Sequence, residues 1–152
     1  MSRSAPKRRA KDSFPFGQKC EARMVHVVFP EDTNHYGTLF GGTALAWMDH
    51  AAFVAATRCC RKSVVTAASE RMSFKVPVRV GSIVEVVANV LEIGRSSLKV
   101  LVELFVEDAF RGTRKLCARG RFTMVAVNKR GRPIAALPKR GRAKTRKTKK
   151  AR

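Results

Sequence analysis

The chain has few acidic residues, few aromatic residues and few cysteines, and each shortage excludes a class of protein. Of its 152 residues, 11 are acidic and 7% are aromatic. Four cysteines are too few for a small disulfide-stapled scaffold, whereas 45% apolar residues suffice for a hydrophobic core at this length. No apolar run approaches the roughly 18 to 20 residues that span a bilayer, and no apolar segment follows the basic N-terminus. We therefore expect a single globular domain that is neither membrane-embedded nor secreted.

The cysteines show no metal-ligand spacing, so we expect no metal site. They are Cys20, Cys59, Cys60 and Cys117. Reduced thiols in a cytoplasmic protein are the simplest interpretation. An organellar transit peptide is the alternative for the N-terminus, which is rich in Arg and Lys, although Pro6 interrupts any amphipathic helix there.

The positive charge is concentrated at the two ends of the chain. Lys and Arg number 32 in total, giving a formal charge of +21, and residues 1–11 and 129–152 contain no acid. We expect a disordered basic arm over 1–15, a folded domain over 16–138 and a disordered basic tail over 139–152. Either end is a solvated segment or a nonspecific contact for a polyanion such as nucleic acid or an anionic membrane surface. Neither end interleaves aromatic residues for base stacking.

The folded part predicts one helix and five strands. Residues 43–60 contain no Gly or Pro and are apolar on almost every side, which predicts a long helix buried around most of its circumference. Segments rich in β-branched residues predict strands over 24–29, 64–76, 83–93, 97–106 and 115–127. Short connections at 94–96 and 108–112 predict antiparallel hairpins. The expected fold class is α+β, with a five-stranded antiparallel sheet curled around one helix.

Asp49 is a carboxylate in the middle of this apolar helix. Burying it costs several kcal/mol unless it is paired or takes up a proton, and a wet helix edge or a pair with Arg71 is the structural alternative. Gly41 and Gly42 precede the helix, and their backbone N–H groups are candidate oxyanion donors at its positive end. Eight residues of helix place Asp49 about 12 Å from Gly41, too far for one reacting carbon. A twofold dimer would bring Asp49 of one chain toward the glycines of the other.

Several segments in order resemble one known family. They are Asp-Thr-Asn-His-Tyr-Gly-Thr-Leu-Phe-Gly-Gly over 32–42, Ala-Trp-Met-Asp over 46–49, Ser-Phe-Lys-Val-Pro-Val-Arg-Val-Gly over 73–81, Gly-Arg-Ser-Ser over 94–97 and Phe-Thr-Met-Val-Ala-Val over 122–127. The chain resembles the hot-dog-fold acyl-CoA thioesterases, in particular the bacterial broad-specificity acyl-CoA hydrolases and brain acyl-CoA hydrolase. The resemblance implies hydrolysis of acyl-CoA to fatty acid and coenzyme A, without a separate cofactor. It also implies hot-dog protomers that dimerise side by side and assemble into a hexamer, a trimer of dimers.

The resemblance also implies roles for individual residues. Asp49 would be the catalytic carboxylate acting across the dimer interface, Asn34 would place the substrate carbonyl or water, and Gly41 and Gly42 would polarise the thioester oxygen. Thr38 departs from the family, whose members often carry Asp or Asn there.

Hydrolysis of a thioester releases a thiolate whose thiol has a pKa of about 8 to 9, so a strong general acid is dispensable. Asp49 could act as general base or as nucleophile, and the sequence leaves both open. No Gly-x-Ser-x-Gly elbow supports serine chemistry, and His35 and His50 are weaker catalytic candidates.

Basic and hydroxyl side chains are expected to hold the phosphates of coenzyme A. The candidates are Arg95, Ser96 and Ser97, followed by Ser73 and Lys75. We expect the acyl chain to run along Trp47, Met48 and Phe53. Two alternatives remain: a noncatalytic acyl-CoA or nucleic-acid-associated binding protein that uses its basic tails, and a hot-dog dehydratase. The dehydratase would need a catalytic histidine, and His26 has no evident acidic partner.

Overall fold

Residues 20–138 are described here in a computed structural model and form one sheet and one long helix. The strands are β1 (Glu21–Val27), β2 (Val64–Phe74), β3 (Ile83–Ile93), β4 (Ser97–Asp108) and β5 (Thr113–Ala126), and the helix is α1 (Gly41–Cys60). A short 3-10 turn, Pro30–Asp32, follows β1. The five strands are antiparallel in the order β1-β3-β4-β5-β2. This arrangement confirms the predicted helix, strands and hairpins, with boundaries that differ by a few residues.

The core lies between α1 and one face of the sheet. Along β4, Leu98, Val100, Val102 and Leu104 alternate inward with at most 1% exposure, as the two-residue period of a strand requires. The buried face of helix α1 packs against these residues and carries mostly small side chains: Ala44, Met48, Ala51, Ala52, Ala55, Ala56, Cys59 and Cys60. Small side chains on this stripe let the helix approach the sheet closely.

Helix α1 is buried on one face only, so the expected burial around most of its circumference is wrong for the single chain. Ala46, His50 and Phe53 lie exposed on the opposite side, and the ring of Phe53 is 45% exposed. The apolar residues on that side remain available to another surface. Hydropathy alone could not distinguish a helix wrapped by its own sheet from one covered by a partner.

Strand β2 is an exposed, irregular sheet edge. It pairs only with β5 among the described strands, with register shifts between Thr66 and Ala68 and between Glu70 and Ser73. Arg71 lies in the second irregularity with φ 52°. An unpaired strand edge exposes backbone N–H and C=O groups that can pair with another chain.

The cysteines depart from the expectation of reduced thiols. Cys20 and Cys59 form a disulfide with Cα atoms 4.8 Å apart, which joins the residue before β1 to the end of α1. Cys60 and Cys117 are free and buried. Spacing along the chain could not reveal this pair, because 39 residues separate its members.

The predictions for the basic arm over 1–15 and the basic tail over 139–152 fall outside the described residues. None of the helices within 20–138 is long and apolar enough to cross a membrane.

Candidate active site

Asp49 lies half-buried on the flank of α1 that faces strand β2. Its Oδ1 accepts a hydrogen bond of 2.7 Å from the hydroxyl of Thr66. Arg71 is exposed, and the partner of Asp49 in this structure is a hydroxyl rather than the arginine considered from the sequence. The carboxylate is therefore oriented by a neutral donor, which leaves its charge unpaired and its second oxygen available for chemistry.

Asn34 organises the loop before α1. Its Oδ1 accepts from the backbone N–H of Tyr36 at 2.9 Å, from the backbone N–H of Thr38 at 3.3 Å and from the hydroxyl of Thr38 at 3.2 Å. Backbone N–H groups only donate, so the side-chain atom that faces them is the amide oxygen. The amide NH₂ of Asn34 consequently points away from these N–H and hydroxyl groups. It donates no hydrogen bond to any of the described residues, 20–138. Thr38 fixes this orientation.

The start of α1 presents uncapped backbone donors. The first helical hydrogen bond runs from Ala44 N to Phe40 O at 3.0 Å, which leaves the N–H groups of Gly41, Gly42 and Thr43 outside the helical ladder. Phe40 is the N-cap and supplies no side-chain acceptor. A Cβ on Gly41 would meet no atom within 4 Å, so nothing within the described chain demands glycine there. Close approach of a ligand or a partner chain is a reason for its absent side chain.

A groove of about 430 Å³ opens beside these donors and is called here the N-terminal groove. It runs from Gly41 and Ala44 of the helix across the sheet to Leu104 and Ala118, and Phe74 forms one wall. Most of its lining is apolar; Thr38, Lys75 and the thiol of Cys117 are the polar exceptions. Burial raises the pKa of the Cys117 thiol, so this group stays protonated near neutral pH and adds no charge to the groove.

The acyl-chain stripe predicted from the sequence does not form one surface. Met48 is fully buried in the core, whereas Trp47 stacks on the ring of His26 with centroids 4.2 Å apart. Phe53 lies on the exposed side of α1. The apolar surface next to the glycines is the N-terminal groove instead, built from residues far apart in the sequence.

The residues predicted to hold coenzyme A lie in two places. Arg95, Ser96 and Ser97 form and follow the β3–β4 turn, at the end of the sheet where β2 begins. Ser73 and Lys75 lie at the opposite end, where β2 finishes. Strand β2 has 11 residues, so about 30 Å separates the two groups along one protomer. One protomer does not bring them together.

The histidines do not assemble a catalytic centre. His26 is stacked on Trp47, and its Nε2 is buried without a hydrogen-bond partner among the described residues. Burial lowers the pKa of His26, opposed by the nearby charge of Asp32, so this side chain is neutral at pH 7. His35 packs against the ring of Tyr36, with centroids 4.0 Å apart. These contacts give the dehydratase alternative no support.

One helix lying against a curled antiparallel sheet, with a carboxylate on the helix flank and free N–H groups at its start, defines a hot-dog protein of the thioesterase type. The model of the thioesterase superfamily matches residues 36–109. An uncharacterized acyl-CoA thioester hydrolase of Bacillus subtilis is 36% identical over 116 residues, covering 75% of this chain and 67% of that protein. The chain belongs to this family.

Solved structures agree with the family. An acyl-CoA hydrolase of Staphylococcus aureus in complex with butyryl coenzyme A, coenzyme A and coenzyme A disulfide superposes with a TM-score of 0.75, at 35% identity, covering 77% of this chain and 71% of that one. A hexameric broad-specificity acyl-coenzyme A thioesterase, solved as an Asp-to-Ala variant, superposes with a TM-score of 0.72 at 33% identity, covering 77% and 86%.

Three solved alanine variants of the staphylococcal enzyme replace residues whose spacing recurs in this chain. The variants replace an asparagine, an aspartate 15 residues later and a threonine 17 residues beyond that. Asn34, Asp49 and Thr66 have the same two spacings in this chain. Thr66 carried no signal in the sequence because a threonine in a strand is ordinary, and only its bond to Asp49 distinguishes it.

Proposed function

We propose that this protein is an acyl-CoA hydrolase whose active site is shared between two protomers. Asp49, oriented by Thr66, would supply the reacting carboxylate. Asn34, Gly41 and Gly42 of the partner protomer would bind the thioester oxygen or the water. The observation that carries the proposal is the bond between Asp49 and Thr66 in a chain of this family, which orients a carboxylate without neutralising it.

The helix geometry supports a shared site. Asp49 and Gly41 lie on one helix, about two turns or roughly 12 Å apart, whereas an oxyanion donor and a base must both lie about 3 Å from the reacting atoms. The exposed side of α1 and the unpaired edge of β2 are the surfaces a second protomer would cover.

Pairing of two β2 strands would assemble the site. An antiparallel pair about a twofold axis near the middle of β2 sets Thr66 within about two residues of Phe74 of the partner protomer. Phe74 lines the N-terminal groove beside Gly41. Asp49 would thus face the partner's groove, and two equivalent sites would result.

The same pairing would bring together the two groups of residues predicted to hold coenzyme A, which lie at opposite ends of one protomer. Lys75 of one protomer would then lie near the start of β2 in the other, at the end of the sheet that carries Arg95 and Ser96. The acyl chain would enter the apolar N-terminal groove, and the phosphates would extend toward these basic and hydroxyl groups.

The chemistry requires no separate cofactor. As general base, Asp49 takes a proton from water while the water oxygen bonds to the thioester carbon. Collapse of the tetrahedral adduct then breaks the carbon–sulfur bond, and the thiolate of coenzyme A receives the proton. As nucleophile, Asp49 would instead displace the thiolate to give a mixed anhydride, which water cleaves to carboxylic acid and free Asp49. In both routes the N–H groups of Gly41 and Gly42 stabilise the oxyanion.

Release of free thiol from acyl-CoA esters of increasing chain length tests the proposal. The native protein should hydrolyse them, and Asp49→Asn should lose at least two orders of magnitude in kcat while remaining folded, because it keeps the shape and removes the charge. Equal activity in both proteins would show that Asp49 is structural. No hydrolysis of any ester by the native protein would contradict the proposed function.

A single-turnover reaction in ¹⁸O-labelled water detects the nucleophilic route when water cleaves the anhydride at the carboxyl carbon of Asp49. Label incorporated into the peptide containing Asp49 would identify a mixed anhydride, because only that route exchanges a carboxylate oxygen. The hexameric relative suggests that the dimers assemble further, and we propose a trimer of dimers for this chain. Native mass spectrometry measures that assembly directly.

A further inference from the structure

The antiparallel sheet gathers a set of basic side chains at one end of the molecule. The start of β1, the end of α1, the start of β2, the end of β3, the start of β4 and the end of β5 all lie there. We call this end the basic edge and define it by Arg58, Arg61, Lys62, Arg95, Lys129, Arg130 and Arg132. Its nearby acids are Glu21, which is paired with Arg23, and Glu92.

This edge accounts for most of the excess charge of the folded part. Residues 20–138 contain 17 basic and 10 acidic residues. The turns at the opposite end are nearly balanced: Lys75, Arg79, Arg111, Arg114 and Lys115 stand against Glu31, Asp32, Glu107 and Asp108. The field of the molecule is therefore strongly one-sided.

The described residues begin and end at this same edge. Cys20 is bonded to Cys59 at the end of α1, and Ala136 N donates to Arg95 O at 2.8 Å. Residues 1–19 and 139–152 hold 15 basic residues and one acid. Both segments therefore connect to the described residues next to the basic edge.

A cavity of about 500 Å³ at the end of α1 gives the edge a local binding feature. Thr57, Arg58, Arg61 and Lys62 contribute to its lining, and the hydroxyl of Thr57 is buried without a hydrogen-bond partner among the described residues. Arg58 and Lys62 donate to the backbone carbonyls of Glu21 and Ala135, and none of the ion pairs within 20–138 involves either. Cations without carboxylate partners along a cavity suit a phosphate oxygen.

We propose that the basic edge, which shares Arg95 with the proposed coenzyme A site, binds the phosphate backbone of nucleic acid as a property additional to the hydrolase activity. Five of its seven side chains are arginines, whose planar guanidinium groups match phosphate. Four strand spacings make the edge about 19 Å wide, which spans about 11 duplex phosphate charges. Among the exposed large apolar side chains of residues 20–138, only Phe53 lines the cavity at the end of α1, whereas membrane surface binding uses several such groups together.

The test uses the full-length chain and a fluorescein-labelled mixed-sequence DNA duplex. The triple variant Lys129→Gln, Arg130→Gln, Arg132→Gln removes three charges whose side chains hold no part of the turn, because Asn128 Oδ1 bonds only to the backbone N–H groups there. We expect Kd to rise at least tenfold at low salt. The slope of log K against log salt should become shallower by about 2 to 3, since each lost phosphate contact removes about 0.9.

The matched control is Arg79→Gln, Arg111→Gln, Lys115→Gln at the opposite end, with the same loss of charge. It should change Kd less than twofold if position rather than total charge determines binding. Both variants should keep the native melting temperature and thiol-release rate. Equal weakening by the two variants, or native affinity in the edge variant, would overturn the proposal.

Binding to vesicles that contain anionic lipid is measured in parallel. If the protein binds vesicles more tightly than duplex and the edge variant loses that binding, the edge is a membrane surface and the proposal is overturned as well. A parallel fall in thiol release would assign the edge to the substrate instead.

Discussion

At the scale of single residues, the proposed site depends on which atoms are left free. Asp49 accepts one hydrogen bond from Thr66 and keeps its second oxygen available. Asn34 uses its side-chain oxygen in hydrogen bonds within the loop and keeps its NH₂ available as a donor. The two side chains are thus complementary, one accepting and one donating, as water activation beside a carbonyl requires. Neither property could be predicted from residue type alone.

Removing the hydroxyl of Thr66 should slow hydrolysis without abolishing it. A hydrogen bond to a charged group contributes about 1.5 to 3 kcal/mol, so we expect Thr66→Ala to lower kcat by about ten- to hundredfold. Thr66→Ser keeps the hydroxyl and should retain most of the rate. The measurement is kcat together with KM, since losing a donor that orients the reacting carboxylate should lower kcat and leave KM nearly unchanged. An unchanged kcat in Thr66→Ala would remove Thr66 from the site.

His26 should make the stability of the fold depend on pH. Burial lowers its pKa in the folded chain below the value of about 6.5 that it regains on unfolding. The unfolded state therefore binds more protons below that pH, and the free energy of unfolding should fall as the pH drops from about 7.5 through 6.5. His26→Phe preserves the aromatic stack on Trp47 and should flatten this decline in urea titrations. His35→Gln, at an exposed histidine that does not contribute to the shift of His26, serves as the control, and the decline should persist there.

At the scale of helices and strands, the sequence predicted the positions that depend on local residue patterns. Strand periodicity and glycine-containing turns placed β3 over the observed residues and the other strands to within a few. The one-sided burial of α1, the irregularities of β2 and the Cys20–Cys59 bond depend on contacts between distant segments, which periodicity does not encode. The predicted start of α1 fell two residues late, because glycine disfavours helix interiors but is acceptable in a first turn.

Gly120 of β5 lies directly against the side chain of Met72 in β2. A Cβ on Gly120 would lie 2.0 Å from the sulfur of Met72, so Gly120→Ala forces that side chain out of its position. We expect a loss of about 1 kcal/mol or less in the free energy of unfolding, because the atoms that must move are the far end of a flexible methionine side chain. Met72→Ala should remove most of that additional loss in the double variant, measured as a double-mutant cycle. Additive effects would show that the two residues do not contact one another.

The disulfide should stabilise the joint between β1 and α1. Its members are separated by 39 residues, and a loop of that length corresponds to about 4 kcal/mol in the chain-entropy description. Cys20→Ser with Cys59→Ser should lower the melting temperature, and a reductant should lower the native value while leaving the variant unchanged. Mass spectrometry of the unreduced chain should find the two peptides linked. A reductant-insensitive native protein with four free thiols would contradict the bond.

At the scale of the whole molecule, the sequence indicated only part of the proposed site. Asn34, Gly41, Gly42 and Asp49 fall within 16 consecutive residues, so one local motif carries all four. Thr66 and the N-terminal groove come from other elements, and their contribution depends on how the sheet folds over the helix. The division of the coenzyme A candidates between two ends of one protomer likewise became visible only in three dimensions.

Mixed assemblies test whether the site is shared. Asn34→Asp keeps the oxygen that holds the loop and removes the NH₂ donors, and Asp49→Asn removes the charge, so each variant alone should be nearly inactive. In a mixed dimer, one of the two sites would combine the intact Asp49 of one chain with the intact Asn34 of the other. Random exchange makes half of the dimers mixed, so about a quarter of native activity should return. Co-refolding the two variants with different tags, with native mass spectrometry to count mixed species, measures both quantities. If mixed dimers form and activity stays at the level of the separate variants, Asp49 and Asn34 serve the same protomer's site, and the pairing of two β2 strands proposed above is wrong.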